Sequence, residues 1–134
     1  MRATAEPESQ YLAVTEGAGL IDRSQRGKID LSGPDAIEYL QGQVTNDIEA
    51  LPVGTGCYAA LLNPKGRILS DARVLVRDPQ RLWLDTEQSS LEVALSELRT
   101  YKIGRKVEVA DRSAERALLS LLGAKSGEVV AAAA

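Results

Sequence analysis

A chain of 134 residues has the length of about one domain, and its 44% hydrophobic and 26% charged content is that of an ordinary globular protein. A net charge of −3 offers no footprint for nucleic acid or an anionic membrane, and no apolar run approaches the roughly 18 residues of a membrane span. With no histidine and one cysteine, Cys57, the chain cannot hold a Ser-His-Asp or Cys-His centre, an internal disulfide or a multi-thiolate metal site; the lone thiol and the lack of a leader core point to the cytoplasm.

In chain order, residues 1–18 read as a mobile lead-in, polar and interrupted by Pro7. Lys28-Ile29-Asp30-Leu31 alternates and predicts a short strand that stops at Ser32-Gly33-Pro34. Pro34 suits a first helical position with Ser32 or Gly33 as cap, and Ala36, Ile37 and Leu40 give a narrow apolar stripe ending at Gly42. Gln43 to Asp47 is a polar connector, in which Asn46 and Asp47 suit side-chain to backbone hydrogen bonding. Cys57 to Leu62 is apolar enough for a buried strand, and Asn63-Pro64-Lys65-Gly66 has the turn chemistry to join it antiparallel to Arg67–Arg77. A second turn at Asp78-Pro79-Gln80 leads into Leu82-Trp83-Leu84-Asp85, completing a three-stranded meander.

Ser89 and Glu92 have capping-box spacing, and Leu91, Ala94, Leu95, Leu98 and Tyr101 recur at helical intervals until Gly104. Lys106 to Val109 predicts another strand, whereas Ala117 to Gly123 is an apolar run too short to classify by period. The expected class is α+β with a mainly antiparallel sheet and two or more helices. Residues 19–111 form its core, and residues 112–134 start a following domain or form a truncated tail.

One carboxylate stands out. In the strand after Gly66, period two places Ile68, Ser70, Ala72, Val74 and Val76 on one face and Asp71 on the other with Arg67, Leu69, Arg73 and Leu75. A carboxylate in mid-strand needs solvent, a cation or a ligand. Asp71 is therefore either a solvated residue paired loosely with Arg73 or Arg67, or a ligand contact.

Four pieces in order carry a family resemblance: Gly19 to Ser24; Gly33-Pro34-Asp35-Ala36 running into Tyr39 to Asp47; Tyr58 to Asp71; and Leu98 to Ile103. Together they resemble the folate-binding domain shared by the glycine-cleavage aminomethyltransferase and the YgfZ-type proteins. Leu40-Gln41-Gly42-Gln43-Val44-Thr45 and Tyr101-Lys102-Ile103 favour the YgfZ branch. The resemblance implies the first third of a three-domain cloverleaf that binds tetrahydrofolate where the domains meet, so the C-terminal domains are partners of this chain. It implies a catalytic and cofactor-binding role for Asp71 and cofactor contacts for Tyr58 and Asp85. From the residues alone, Tyr58 equally suits an aromatic filling the sheet core, and Asp85 suits a residue opening the turn toward Ser89.

Ser70 stands where the transferase usually has a second aspartate, which implies a weaker negative field beside Asp71. Gly56-Cys57-Tyr58 echoes the Lys-Gly-Cys-Tyr motif of YgfZ proteins, but Thr55 precedes it and Ala59-Ala60-Leu61 follow, so Cys57 reads as a small buried residue. The function implied is a tetrahydrofolate-binding YgfZ-type protein that supports iron-sulfur enzymes and tRNA modification without contacting nucleic acid directly. The alternatives are an aminomethyltransferase passing a one-carbon unit to tetrahydrofolate, and a non-catalytic scaffold module.

Overall fold

The computed structural model describes residues 6–134. They form α1 (Pro7–Glu16), β1 (Gly19–Asp22), β2 (Gly27–Ser32), α2 (Ala36–Gln41), β3 (Gly56–Leu62), β4 (Ile68–Asp78) and β5 (Arg81–Thr86). The chain continues through α3 (Leu91–Thr100), β6 (Glu108–Asp111), β7 (Leu119–Leu122) and α4 (Ser126–Ala133). Every strand pairing is antiparallel, giving the expected α+β class. Among the described residues no helix is long and apolar enough to cross a membrane.

The described residues divide into two compact units, Gln25–Arg116 and a second made of residues 6–24 and 117–134. The division expected at residues 18/19 and 111/112 thus falls elsewhere. The first five residues of the expected lead-in lie outside the described residues, but residues 7–16 of it are helical. In this unit β1 pairs with β7, Gly19 opposite Leu122, so the ambiguous apolar run is a strand paired to a segment about 100 residues earlier. Of the four alanines that close the sequence, Ala131–Ala133 belong to α4. Neither α1 nor α4 buries a residue, and Leu20, Leu119 and Val130 are all exposed.

The larger unit is a five-stranded sheet in the order β3-β4-β5-β2-β6, so the expected meander forms three consecutive strands and β2 inserts between β5 and β6. The first hairpin closes as its residues dictate. Gly66, at φ +75°, donates its N–H to the Asn63 carbonyl, while Asn63 Oδ1 accepts from the backbone of Lys65 and Arg67.

One sheet face is the core. Ser70, Ala72, Val74 and Val76 of β4 are buried beside Leu82 and Leu84 of β5 and Ile29 and Leu31 of β2; Ile68, at the hairpin end, is exposed. Helix α3 adds Leu91, Ala94, Leu95 and Leu98, and α2 adds Ala36, Tyr39 and Leu40. Tyr39 donates its phenol to the Leu98 carbonyl at 2.8 Å, tying the two helices together.

Three local expectations shift. Helix α2 starts after Asp35 rather than at Pro34, because Gly33 donates its N–H to the Gln80 carbonyl and Asp35 is committed to the segment before β6, its Oδ2 accepting from the Lys106 N–H at 2.8 Å. The Ser89/Glu92 capping box does not form, since a short 3-10 turn at Gln88–Ser90 precedes α3. Strand β6 runs two residues later than the pattern indicates, fixed by pairing Leu31 with Val109.

Candidate functional site

The second face of the sheet is open over β3, β4 and β5, and sheet register decides what stands on it. Tyr58, Arg73, Asp85 and Lys28 lie in one row across β3, β4, β5 and β2. Gly56, Leu75, Trp83 and Asp30 make the neighbouring row, and Asp71 stands beyond the first row, opposite Ala60. Alternation alone brings these side chains to a common face.

Asp71 and Tyr58 are diagonal neighbours on adjacent strands, a separation a tyrosine can bridge. The Tyr58 phenol donates to Asp71 Oδ2. Among the described residues this is the one bond to the Asp71 carboxylate, so Oδ1 has no protein donor. The hydrogen bond to the carboxylate, then slight burial and the Asp71 charge, push the Tyr58 pKa above its ordinary value and keep the phenol a donor. Tyr58 is 60% exposed, so it belongs to the open face and does not fill the sheet core. Asn46 Nδ2 in turn donates to the Tyr58 carbonyl at 3.0 Å, which is the connector role foreseen for that residue.

Asp85 is different. Its Oδ1 accepts from Arg26 Nε at 2.6 Å and from Arg73 at 2.8 Å, and its Oδ2 accepts from Arg73 Nε at 3.0 Å. It lies inside β5 and opens no turn. The loose pairing of Asp71 with Arg73 is likewise not what forms, because Arg73 stands directly across from Asp85 and is used there. Arg26 also reaches Glu87. Burial of Arg26 opposes its charge, but the hydrogen bond and attraction from Asp85, followed by Glu87, outweigh it and raise the guanidinium pKa. Two of the carboxylates on this face therefore differ: Asp85 is saturated by cations and Asp71 is available.

Ser70 points to the core, where it is 6% exposed and within 2.7 Å of the Thr86 hydroxyl. Ser70 therefore stands on the face opposite Asp71, and a carboxylate at that position would not present its oxygens to a ligand on the Asp71 face. Cys57 is half-buried on the core side, and burial pushes its thiol pKa up, away from reactivity. Further along the open face, Trp83 lies under the guanidiniums of Arg77 and Arg116, 4.2 and 4.5 Å from its centroid. Among the described residues no group of Cys, Asp or Glu could hold a metal ion.

Arg26, Thr86 and Glu87 were not singled out by sequence. Counting outward from the Asp78-Pro79-Gln80 turn places Arg73 opposite Asp85, a signal the sequence does contain; Arg26 reaches the site only because β2 inserts beside β5.

The model of the GCVT N-terminal domain family matches residues 2–134. The chain belongs to that family. This GCVT N-terminal domain is 33% identical over 124 residues to an aminomethyltransferase of Symbiobacterium thermophilum, covering 90% of the chain and 33% of the relative. It is 35% identical over 115 residues to the tRNA-modifying protein YgfZ of Serratia proteamaculans, covering 86% and 33%. The solved glycine cleavage system aminomethyltransferase T of Bartonella henselae matches with a TM-score of 0.82 at 30% identity, over 93% of the chain and 34% of that structure. The GCVT domain described here thus spans about a third of the length of the curated relatives it matches.

Proposed function

We propose that this chain is the first third of a tetrahydrofolate-dependent protein of the aminomethyltransferase type, with Asp71 as the carboxylate that meets the folate amine. The observation carrying the reading is the contrast on the open face: both oxygens of Asp85 are engaged by arginines, whereas Asp71 Oδ1 has no protein donor among the described residues. Named relatives support the transferase over the YgfZ reading, since aminomethyltransferases predominate among them.

Tetrahydrofolate, when bound, supplies the amine nitrogens that receive the one-carbon unit from a lipoyl-borne aminomethyl group as ammonia leaves. Asp71 Oδ1 accepts a hydrogen bond from an amine N–H and stabilises the positive charge that develops beside it. Tyr58 holds Oδ2 and so fixes the direction of the free oxygen. Asp85 acts at one remove by pinning Arg26 and Arg73, which mark the cationic edge of the surface. Downstream domains supply the walls for the pterin ring, and the whole works in the cytoplasm.

Calorimetric titration of tetrahydrofolate into the chain tests this. Saturable binding weakened about tenfold or more by Asp71→Asn is expected, the value of a hydrogen bond to a charged group. Equal affinity in the variant, or no heat from a folded chain, would sink the assignment of Asp71.

A second reading keeps the folate contact but gives it YgfZ-type work, the maintenance of iron-sulfur enzymes and dependent tRNA modification. The 35% identity to the Serratia protein favours it. A Lys-Gly-Cys-Tyr motif downstream in the parent sequence decides for that reading, and its absence decides for the transferase.

A further inference from the structure

We propose that the buried hydroxyls of Thr86 and Ser70 form a clamp that aims the Asp71 carboxylate, which makes them positioning residues of the site. The inference rests on the functional reading of Asp71 given above. Thr86 is 1% and Ser70 6% exposed, on a sheet face whose other buried residues in β4 and β5 are aliphatic: Ala72, Val74, Val76, Leu82 and Leu84. A hydroxyl there costs stability unless its bonds are made. These bonds are made, and they converge on one atom. Thr86 Oγ1 donates to the Asp71 carbonyl oxygen at 2.6 Å, Ser70 Oγ lies 2.7 Å from Thr86 Oγ1, and Ser70 Oγ is 3.2 Å from the same carbonyl. With the Thr86 proton on the carbonyl, the Ser70 proton goes to Thr86 Oγ1, so the two hydroxyls form a short relay ending at the peptide of residue 71.

The place of this relay in the sheet gives it its purpose. The pairing of β4 with β5 ends at Arg73 opposite Asp85, so the Asp71 carbonyl lies beyond the last backbone pair. Without Thr86 nothing from β5 would hold that peptide, and its rotation would swing the side chain that leaves the same Cα on the opposite face. Its partner is anchored in the same manner, since Asn46 holds the Tyr58 carbonyl from outside the sheet. The β3–β4 ladder places both residues of the Tyr58–Asp71 pair, and side-chain bonds to their carbonyls then fix each from the side away from that ladder.

The test uses Thr86→Val, which keeps the shape and deletes the hydroxyl; Thr86→Ser, which keeps the hydroxyl; and Ser70→Ala. The readout is the ionisation of Tyr58, followed by NMR of ring-labelled tyrosine, because that phenol is held above its ordinary 10.0 first of all by Asp71. The Tyr58 midpoint is expected to fall toward 10.0 in Thr86→Val, to fall less in Ser70→Ala, and to stay at the wild-type value in Thr86→Ser. Tetrahydrofolate affinity is expected to drop about tenfold in Thr86→Val and to recover in Thr86→Ser.

An unmoved Tyr58 midpoint in folded Thr86→Val overturns the clamp. Should that variant not fold, an unmoved midpoint in folded Ser70→Ala overturns it equally. A shifted midpoint with no tetrahydrofolate binding by any form, wild type included, supports the clamp and removes the folate reading instead.

Discussion

Asp85→Ala is a severe test of the ion network that borders the site. Asp85 has a side chain 17% exposed and holds Arg26, 12% exposed, and Arg73, 47% exposed. The Arg73 half resembles a surface pair and is worth about 0.5–1 kcal/mol. The Arg26 half is mostly desolvated, and stranding a fully buried charge costs about 3–5 kcal/mol; Glu87 remains as a second partner and some solvent reaches the group, which brings this share to about 2 kcal/mol. The sum is about 2–3 kcal/mol, or a fall in Tm of about 10–20 °C for a domain of this size. Thermal unfolding followed by circular dichroism measures it, with Asp85→Asn expected to lose nearly as much because an amide cannot neutralise two guanidiniums. A double-mutant cycle with Arg73→Ala should return a coupling of about 0.5–1 kcal/mol. A loss under about 0.5 kcal/mol in Asp85→Ala would refute the claim that Arg26 depends on this carboxylate.

Two further outcomes follow from the core. Burial first, and then the Glu97 charge, pushes the Tyr39 phenol up to about 12 from 10.0. Below pH 10 the phenol is neutral folded or unfolded and its contribution is whole; that contribution is lost as pH rises through about 12, so Tyr39→Phe should be less stable by about 1 kcal/mol near neutrality yet show a flatter alkaline decline in urea unfolding. Gly33 sits at φ +134°, and a Cβ added there would fall 2.1 Å from the Lys106 carbonyl oxygen, so Gly33→Ala should cost about 3 kcal/mol in the same assay, and a near-neutral result would contradict that close approach.

What the sequence disclosed follows the reach of its signals. The two faces of β4, the turn at Asn63 to Gly66 and the buried stripe of α3 are local, and local alternation or turn chemistry was enough to read them. The insertion of β2 between β5 and β6, and the pairing of β1 with β7, rest on contacts between distant segments that no local period encodes. Helices α1 and α4 escaped for another reason: they bury no residue, so they carry no apolar stripe to recognise. Asp71 stood out because a carboxylate interrupts an otherwise mixed apolar and basic face, and Tyr58 came with the family resemblance. Thr86 and Ser70 had no such mark. A hydroxyl on a core face looks like any tolerated small residue until register shows which carbonyl it meets.

The indole of Trp83 has a practical consequence. It is the chain's one tryptophan, and two cations bracket its environment on the same face that carries Asp71. A group that displaces or neutralises those guanidiniums changes the field around the ring. The molecule therefore contains its own optical gauge of that surface, with no second indole to contribute background, so binding on that face can be followed on the unlabelled chain by ultraviolet emission.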